Sequence, residues 1–280
     1  MVALDAVPSV APPRTRLDLA TRADDASLRQ LLRETPMRGW VDLAFLREPD
    51  YFRAAAMLGE TVQTIVARRG DAIVGVGTRA LRESWINGTR TTAGYLADLR
   101  LRPEVRGTTL LLRGYQFLRE LHADGRATAY STVIVEDNVA ALRSIASGRA
   151  GLPEYIDLGR IVTPMLHVGR RRPVEPGDVR AGTASEWPEI VAKLNENRAQ
   201  FSPVYGVEDF RANGRYPEIA AEDFLVYRRG GEIVGVLAVW NQRAFRQTVA
   251  LRYHFGVDVV AGLGLATLVV VSARFVRDDV

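Results

Sequence analysis

Cysteine is absent from the 280 residues of this chain, which excludes disulfides, thiolate nucleophiles and metal sites built from cysteine. Histidine is scarce as well, and the three copies lack the spacing of metal ligands: His122, His167 and His254. A zinc site built from histidine is therefore not expected, and the sequence predicts no metal.

Lysine is nearly missing, because Lys193 is the only one among 37 basic residues. The net charge of +4 and the isoelectric point near 9.6 therefore come from arginine. With abundant alanine, glycine and valine, this bias is typical of GC-rich codon usage. No basic run interleaved with aromatic residues is present, so no nucleic-acid partner is expected.

The first fifteen residues are rich in alanine, proline and valine. They lack the charged start and continuous apolar stretch of a signal peptide, so residues 1–15 are predicted to be a loose leader. We expect a cytoplasmic protein with no membrane association. The hydrophobic content of 47% and charged content of 25% are typical of a globular chain with a real core, large enough for one or two domains.

The sequence is most informative where a strand, a turn and a helix follow one another. Leu99 and Leu101 alternate with charged residues, so 94–102 is predicted as a half-buried strand that Pro103 ends. Apolar residues then recur at helical spacing over 110–122. Such a unit points free N–H groups and the positive end of a helix dipole at one place, which suits a phosphate.

Elements of both kinds surround this unit, which indicates an α/β chain with a mixed sheet. The patterns predict a strand over 16–20, a helix ending near Glu34, a helix opened by Pro49-Asp50, a hairpin over 61–81, a turn at Asn87-Gly88, a strand over 127–135, a helix after Asn138 and a last strand or hairpin over 154–168.

The turn segment has a recognisable order of residue types. It reads Asp98-Leu99-Arg100-Leu101-Arg102-Pro103-Glu104-Val105-Arg106-Gly107. This segment resembles the central motif of the GNAT superfamily of acyl-CoA-dependent N-acyltransferases, in which such a turn leads into a helix that cradles the pyrophosphate of acetyl-CoA. The family's further glycines, two and four residues past Gly107, are here Thr109 and Leu111.

The resemblance implies a GNAT fold and a set of residues for acetyl-CoA, the co-substrate. Its pantetheine and thioester would lie along the backbone near Leu99 and Leu101. The pyrophosphate would lie at the turn and the helix start, which comprise Arg106, Gly107, Thr108, Thr109 and Leu110. Asn138 would contact the pantetheine or the pyrophosphate, although a plain helix N-cap explains this residue equally well.

Acyl transfer to an amine also needs a route for protons. Asp98 is placed to act as a base or to orient a water, with an ion pair to Arg100 as the structural alternative. Tyr130 and Tyr95 are the candidate proton donors, each with packing as the alternative. Family members often carry a tyrosine seven residues after the asparagine of the second helix, but this position is Ile145 here.

The acceptor site of GNAT proteins lies at the break between the first two helices. Met37, Arg38 and Trp40 are therefore the candidate substrate contacts, with an ordinary loop around one buried tryptophan as the alternative. The resemblance implies an N-acetyltransferase that acts on a small-molecule or peptide amine. The alternative is a catalytically inactive GNAT-fold protein that binds an acyl-CoA or a partner. A homodimer formed through sheet edges is a further expectation.

The chain contains an internal echo. The segments 66–76 and 226–236 are similar, and Phe52-Arg53-Ala54 is echoed by Phe210-Arg211-Ala212, both at an offset of roughly 160 residues. We therefore predict a GNAT acetyltransferase domain over 16–168, a linker over 169–177 and a partial second GNAT-like domain over 178–280.

The apolar tail at 259–273 has several interpretations. The favoured one is an incomplete second copy, in which Gly262-Leu263-Gly264 opens a buried helix. A second is a membrane anchor, although fifteen residues fall short of the roughly 20 that a spanning helix needs. A third is that the natural chain continues beyond this segment.

Overall fold

The computed structural model describes residues 14–39, 41–136, 138–145, 151–164, 179–196, 198, 201–254 and 265–274. Most of the predicted leader, the candidate contact Trp40 and the whole predicted linker lie outside them. The described helices are α1 Asp25–Glu34, α2 Tyr51–Ala56, α3 Leu110–His122, α4 Val139–Ile145 and α5 Trp187–Leu194.

The described strands alternate with these helices. They are β1 Arg16–Leu19, β2 Val41–Leu46, β3 Thr61–Arg69, β4 Ala72–Ile86, β5 Thr89–Leu101, β6 Tyr130–Val135, β7 Glu154–Pro164, β8 Val179–Ala181, β9 Ser202–Pro203, β10 Phe224–Arg229, β11 Glu232–Ala238, β12 Gln247–Tyr253 and β13 Leu265–Arg274. The predicted elements of the first part are all present, with small shifts at their ends. β2 was not predicted.

The main sheet has the strand order β1-β3-β4-β5-β6-β13-β7, and the short β9 adds to β4. Its neighbours run antiparallel, with the exception of the parallel pair β5 and β6. This confirms the predicted mixed sheet. Two smaller sheets accompany it, β11-β10-β8 and β12-β2.

The inner face of α1 forms the core on one side of the main sheet. Leu28, Leu31 and Leu32 are fully buried against Tyr51 of α2 and strand residues such as Val66, as the helical spacing predicts. The side chain of Asp50 caps α2 by accepting bonds from the two amides at 52 and 53, at 2.8 and 3.1 Å.

A capped ion pair fixes the entry to α1. The amide of Thr21 donates to Asp24 at 2.8 Å, and Arg68 of β3 makes two bonds of 2.8 Å to the same carboxylate. The bonds from Arg68 hold the pKa of Asp24 at about 2, well below its ordinary value. Strand β1, helix α1 and the β3–β4 hairpin are thereby tied into one unit.

The second part of the chain repeats this arrangement. The amide of Thr183 donates to Glu186 at 3.0 Å, and Arg228 of β10 reaches the same carboxylate at 2.6 Å. The strand order β8-β10-β11 matches β1-β3-β4, and in both hairpins a bulge precedes the arginine, at Arg68 and Arg228. The partial second GNAT-like domain and its boundaries stay a prediction.

The end of the chain does not continue the repeat among the described residues. β12 pairs with β2, and β13 inserts between β6 and β7 of the main sheet, where Val271 lies opposite Thr132. The interpretation of the tail as a buried helix is therefore wrong for 265–274, because this segment forms a ladder on both of its edges. Its predicted glycine turn lies outside the described residues.

Gly94 is expected to be essential for stability, because a Cβ added there would lie 2.2 Å from Cδ1 of the buried Tyr130. We expect Gly94→Ala to lower the free energy of unfolding by about 1–3 kcal/mol, measured by urea denaturation. Gly77→Ala is the matched control, since no atom lies within 4 Å of its added Cβ. Equal stability of the two variants would contradict the close packing of this ring.

Candidate active site

The site begins where β5 and β6 part. Their parallel ladder is short, with Gly94 opposite Tyr130 and Tyr95 opposite Ser131. One further bond joins the strands, from the Thr132 hydroxyl to the carbonyl at 96, at 2.8 Å. Beyond it, β5 keeps β4 as its partner and β6 keeps β13, so the facing edges of residues 97–101 and 133–135 enclose a gap.

A cavity of about 320 Å³ occupies this gap. One set of lining residues comes from α3, α4 and β7. Another set comes from β2, from Arg47 directly after it and from Arg246 directly before β12. The lining includes Met37, Phe45, Leu46, Arg47, Tyr95, Asp98, Leu99, Arg100, Leu101, Leu110, Leu111, Gly114, Tyr115, Asn138, Ile145, Tyr155 and Arg246. A cleft between diverging strands is a common place for a ligand.

The predicted phosphate turn lies between β5 and α3, outside the cavity lining but between Leu101 and Leu110, which both line it. Gly107 has a φ of 73°, which a residue with a side chain rarely adopts, and no atom lies within 4 Å of an added Cβ. The backbone amides at 107, 108 and 109 make no backbone hydrogen bond to any described residue. The arrangement therefore presents free N–H donors at a helix start, as the sequence predicts.

Side-chain hydrogen bonds and packing hold the turn in place. The Thr108 hydroxyl donates to the carbonyl of Val105 at 2.7 Å and accepts from the amide of Leu110 at 3.3 Å. Leu110 packs on the sheet with Val105, and Thr109 occupies the N-cap position. Arg106 is exposed, outside the cavity lining, and its Nε donates to the Leu101 carbonyl at 3.0 Å.

The wall next to this turn is partly open. Leu111 and Gly114 of α3 both line the cavity, and no atom lies within 4 Å of a Cβ added at Gly114. Leu111 stands where the family has a small residue, so it narrows this part of the wall. Asn138 also lines the cavity, and its side-chain oxygen caps α4 by accepting from the amide of Ala141 at 3.2 Å.

Asp98 lies at a bulge in β5, over residues 97–100, with a φ of 56°. One of its oxygens, Oδ2, accepts from the hydroxyls of Tyr51 at 3.2 Å and Thr78 at 3.4 Å. Burial and the nearby carboxylate raise the pKa of Tyr51, so this hydroxyl stays protonated as a donor. The bulge thus turns a negative charge toward the cavity.

The ion-pair partner of Asp98 is Arg47, not the predicted Arg100. The Arg47 guanidinium is 7% exposed, bonds to Oδ2 and stacks 4.7 Å from the centre of the Tyr51 ring. Arg100 instead donates to the carbonyl of Leu99 at 2.8 Å, and burial lowers its pKa. No local pattern predicts this pairing, because the two residues are 51 positions apart and β2 was not predicted.

Two tyrosines stand near Ile145, the position where the family often has its tyrosine. The hydroxyls of Tyr115 and Tyr155 lie 2.6 Å apart, and both side chains pack against the cluster that contains Ile145. Burial raises the pKa of Tyr115 to about 12 and that of Tyr155 further. Both residues line the cavity.

Tyr130, predicted as a proton donor, lies elsewhere. It is fully buried outside the cavity lining, and its hydroxyl accepts from Arg79 at 2.8 Å. Arg79 is held in turn by two bonds of 2.8 Å to Asp124. The geometry gives Tyr130 a packing role, whereas the other candidate, Tyr95, lines the cavity beside Asp98 and has its pKa raised by burial.

The predicted acceptor contacts are divided. Met37 lines the cavity, and its backbone bridges to Leu43 of β2. Arg38 is outside the lining, and Trp40 lies outside the described residues. The lining residues that the sequence patterns did not predict include those of β2 and Arg246. The pairing of β2 with β12 brings them to the cavity.

No group of three metal-ligating side chains comes together in the ranges that the structure describes. None of the helices in this part of the chain has the length and apolar character that crossing a bilayer requires.

The arrangement as a whole is the GNAT fold, as the central motif predicts. A probable N-acyltransferase from Enterococcus faecalis V583 aligns over 94% of this chain and 73% of its own, with 13% identity and a TM-score of 0.50. A GCN5-related N-acetyltransferase from Kribbella flavida aligns over 94% of this chain and 71% of its own, with 14% identity and a TM-score of 0.50.

A third similar structure is larger than this chain. The glucosamine N-acetyltransferase region of a fungal multi-domain β-N-acetylglucosaminidase aligns over 97% of this chain and 39% of its own, with 12% identity and a TM-score of 0.59. At these identities the similarity establishes the fold alone. No protein-family model matches the sequence, and comparison with curated proteins finds no significant match.

The Arg47–Asp98 pair is expected to be strongly coupled. Asp98→Asn keeps a residue that tolerates positive φ but leaves Arg47 buried without a counter-charge, so we expect it to lower the free energy of unfolding by about 3–5 kcal/mol. The double variant Arg47→Met/Asp98→Asn is expected to lose less than Asp98→Asn alone, measured by urea denaturation. Additive losses in the double variant would contradict the coupling.

Proposed function

We propose that this chain is an N-acetyltransferase that transfers the acetyl group of acetyl-CoA to an amine. The observation that carries the proposal is the conjunction of a free amide turn at the start of α3 with a cavity between parted strands. The fold is compatible with this chemistry, but the assignment rests on the site. The cavity lining reaches from Leu110, the residue that follows the turn, to the charged cluster around Asp98, so one ligand would extend from the turn into the cavity.

The pyrophosphate would bind at residues 106–109. Free amides and the helix dipole attract an anion there, and the exposed Arg106 adds positive charge close to the turn. The unpaired edge of β5 offers backbone groups to the amides of the pantetheine, which would lie near Leu99 and Leu101. Asn138 contributes by fixing α4 beside the cavity.

The reaction needs no covalent enzyme intermediate. The amine nitrogen attacks the thioester carbonyl, the C–S bond breaks, and the amine loses a proton while the thiolate gains one. Asp98 is the group placed to orient the amine or to take its proton, directly or through water. Tyr155, paired with Tyr115, is the candidate donor to the thiolate, because the pair stands beside Ile145.

The second candidate function, an acyl-CoA-binding protein without catalysis, is motivated by Leu111. Its side chain replaces the small residue of the family at the cavity wall. Such a protein would bind acetyl-CoA and release no free CoA with any amine. The two functions therefore share the binding step and differ in turnover.

Gly107→Ala tests the binding step. The substitution strains a backbone held at φ 73° and displaces the free amides, so we expect the Kd for acetyl-CoA, measured by calorimetry, to rise about tenfold. Gly230→Ala, in the β10–β11 hairpin, is the matched control, because Gly230 has a similar φ of 59° and no atom lies within 4 Å of its added Cβ. If wild type binds no acetyl-CoA, both candidate functions are excluded.

Tyr155→Phe tests the proton donor. If Tyr155 protonates the leaving thiolate, its loss is expected to lower kcat at least 100-fold, roughly the lower limit for general acid catalysis, with little change in the KM for acetyl-CoA. CoA release with an amine panel is the measurement. Tyr95→Phe, at the other tyrosine of the cavity, serves as the comparison, and a larger loss of kcat there would assign the role to Tyr95.

A further inference from the structure

The charged cluster at the β2 and β12 end of the cavity has an excess of positive charge. Arg47, Arg100 and Arg246 line the cavity, whereas Asp98 is the only carboxylate among the lining residues that the structure describes. Arg79 also borders the cavity, but its charge is matched by Asp124, to which it makes two hydrogen bonds.

The three arginines are not neutralised equally. Arg246 is exposed, and its side chain makes no hydrogen bond or ion pair with any described residue. Arg100 makes one bond, to a backbone carbonyl. Arg47 is paired with Asp98 through Nη2, while its buried Nη1 has no partner in the described part of the chain. One carboxylate therefore faces three guanidinium groups.

Only one of the two carboxylate oxygens of Asp98 accepts bonds from described residues. Arg47, Tyr51 and Thr78 all converge on its oxygen Oδ2. The other oxygen, Oδ1, accepts no hydrogen bond from a described residue. It is thus a free acceptor at the cavity, suited to an ammonium or amine group.

We propose that the acceptor is a small amine that also carries a carboxylate, as a free amino acid does. The amine lies at Oδ1 of Asp98, and the carboxylate lies among the arginines, with Arg246 as its main partner. Guanidinium groups bind carboxylates through paired hydrogen bonds, and a positive cavity favours an anionic ligand. This inference rests on the proposed acetyl transfer and adds the chemical class of its acceptor.

The phosphates of acetyl-CoA are the competing anions for these arginines. Their predicted position is the turn before α3, whereas Arg47 follows β2 and Arg246 precedes β12. Gln247 pairs with Leu46 in the antiparallel β2–β12 ladder, so Arg47 and Arg246 leave the same end of that ladder. The acceptor carboxylate is therefore the better match for Arg246.

The test compares each of the common amino acids with its α-amide as acceptors of the full chain with acetyl-CoA. The kcat/KM for CoA release is measured, and acetylated products are identified by mass spectrometry. For at least one amino acid, the kcat/KM of the free acid is expected to exceed that of its amide about tenfold. One hydrogen bond to a charged group accounts for a difference of this size. The amide has the more easily deprotonated amine, so the intrinsic chemistry works against this result.

Arg246→Gln is expected to lower the acid-to-amide ratio about tenfold without changing the Kd for acetyl-CoA more than about twofold. Arg243→Gln, an exposed neighbour outside the cavity lining, is the matched control and is expected to keep the wild-type ratio. Because the readout is a ratio between two acceptors, a partly unfolded variant does not change it.

Three results would overturn the inference while leaving acetyl transfer in place. These are equal use of acids and amides, acetylation of neither series by a protein that binds acetyl-CoA, and a loss of acetyl-CoA affinity in Arg246→Gln with an unchanged ratio. A wild-type protein that binds no acetyl-CoA would instead remove the proposed function itself.

Discussion

The separation of β5 from β6 is the feature on which the rest of the structure depends. Continuous pairing would fill the gap with a ladder and leave no room for a ligand. The bulge at Asp98 shifts the backbone of β5, and β13 provides β6 with a different partner beyond the point of separation. The same bulge places the Asp98 carboxylate at the cavity, so one backbone irregularity both shifts β5 and supplies a charged group.

The second part of the chain contributes to the first. Its own hairpin and capped helix form a separate core around Ile190 and Phe224, with a copy of the ion pair that fixes α1. The strands β12 and β13 leave this core and pair with the first part. Through β12, the chain brings Arg246 to a cavity whose other residues come from the first 155 positions. Each part of the chain therefore has its own hydrophobic core, whereas the cavity takes residues from both parts.

Features that depend on residues close together in the sequence could be predicted, whereas contacts between distant residues could not. Local signals, such as the helical spacing in α1 and α3 and the glycine at Gly107, predicted the elements and the turn before α3. The family resemblance suggested functional roles for Asp98 and Asn138, and both residues line the cavity. The ion-pair partner of Asp98 is 51 positions away, and Arg246 reaches the cavity through the pairing of Gln247 with Leu46, which no local pattern records. Tyr130 lies outside the cavity lining because it stands opposite Gly94, where β5 and β6 are still paired, and the sequence does not show where the two strands part.

The central claim is that acetyl-CoA occupies the gap between β5 and β6. Hydrogen–deuterium exchange with and without acetyl-CoA, read by peptide mass spectrometry, tests it most directly. Slower exchange is expected at residues 97–101 and 107–112, with no comparable change at the echoed hairpin 224–238. Protection of that hairpin alone, or no protection at saturating acetyl-CoA, would contradict the account.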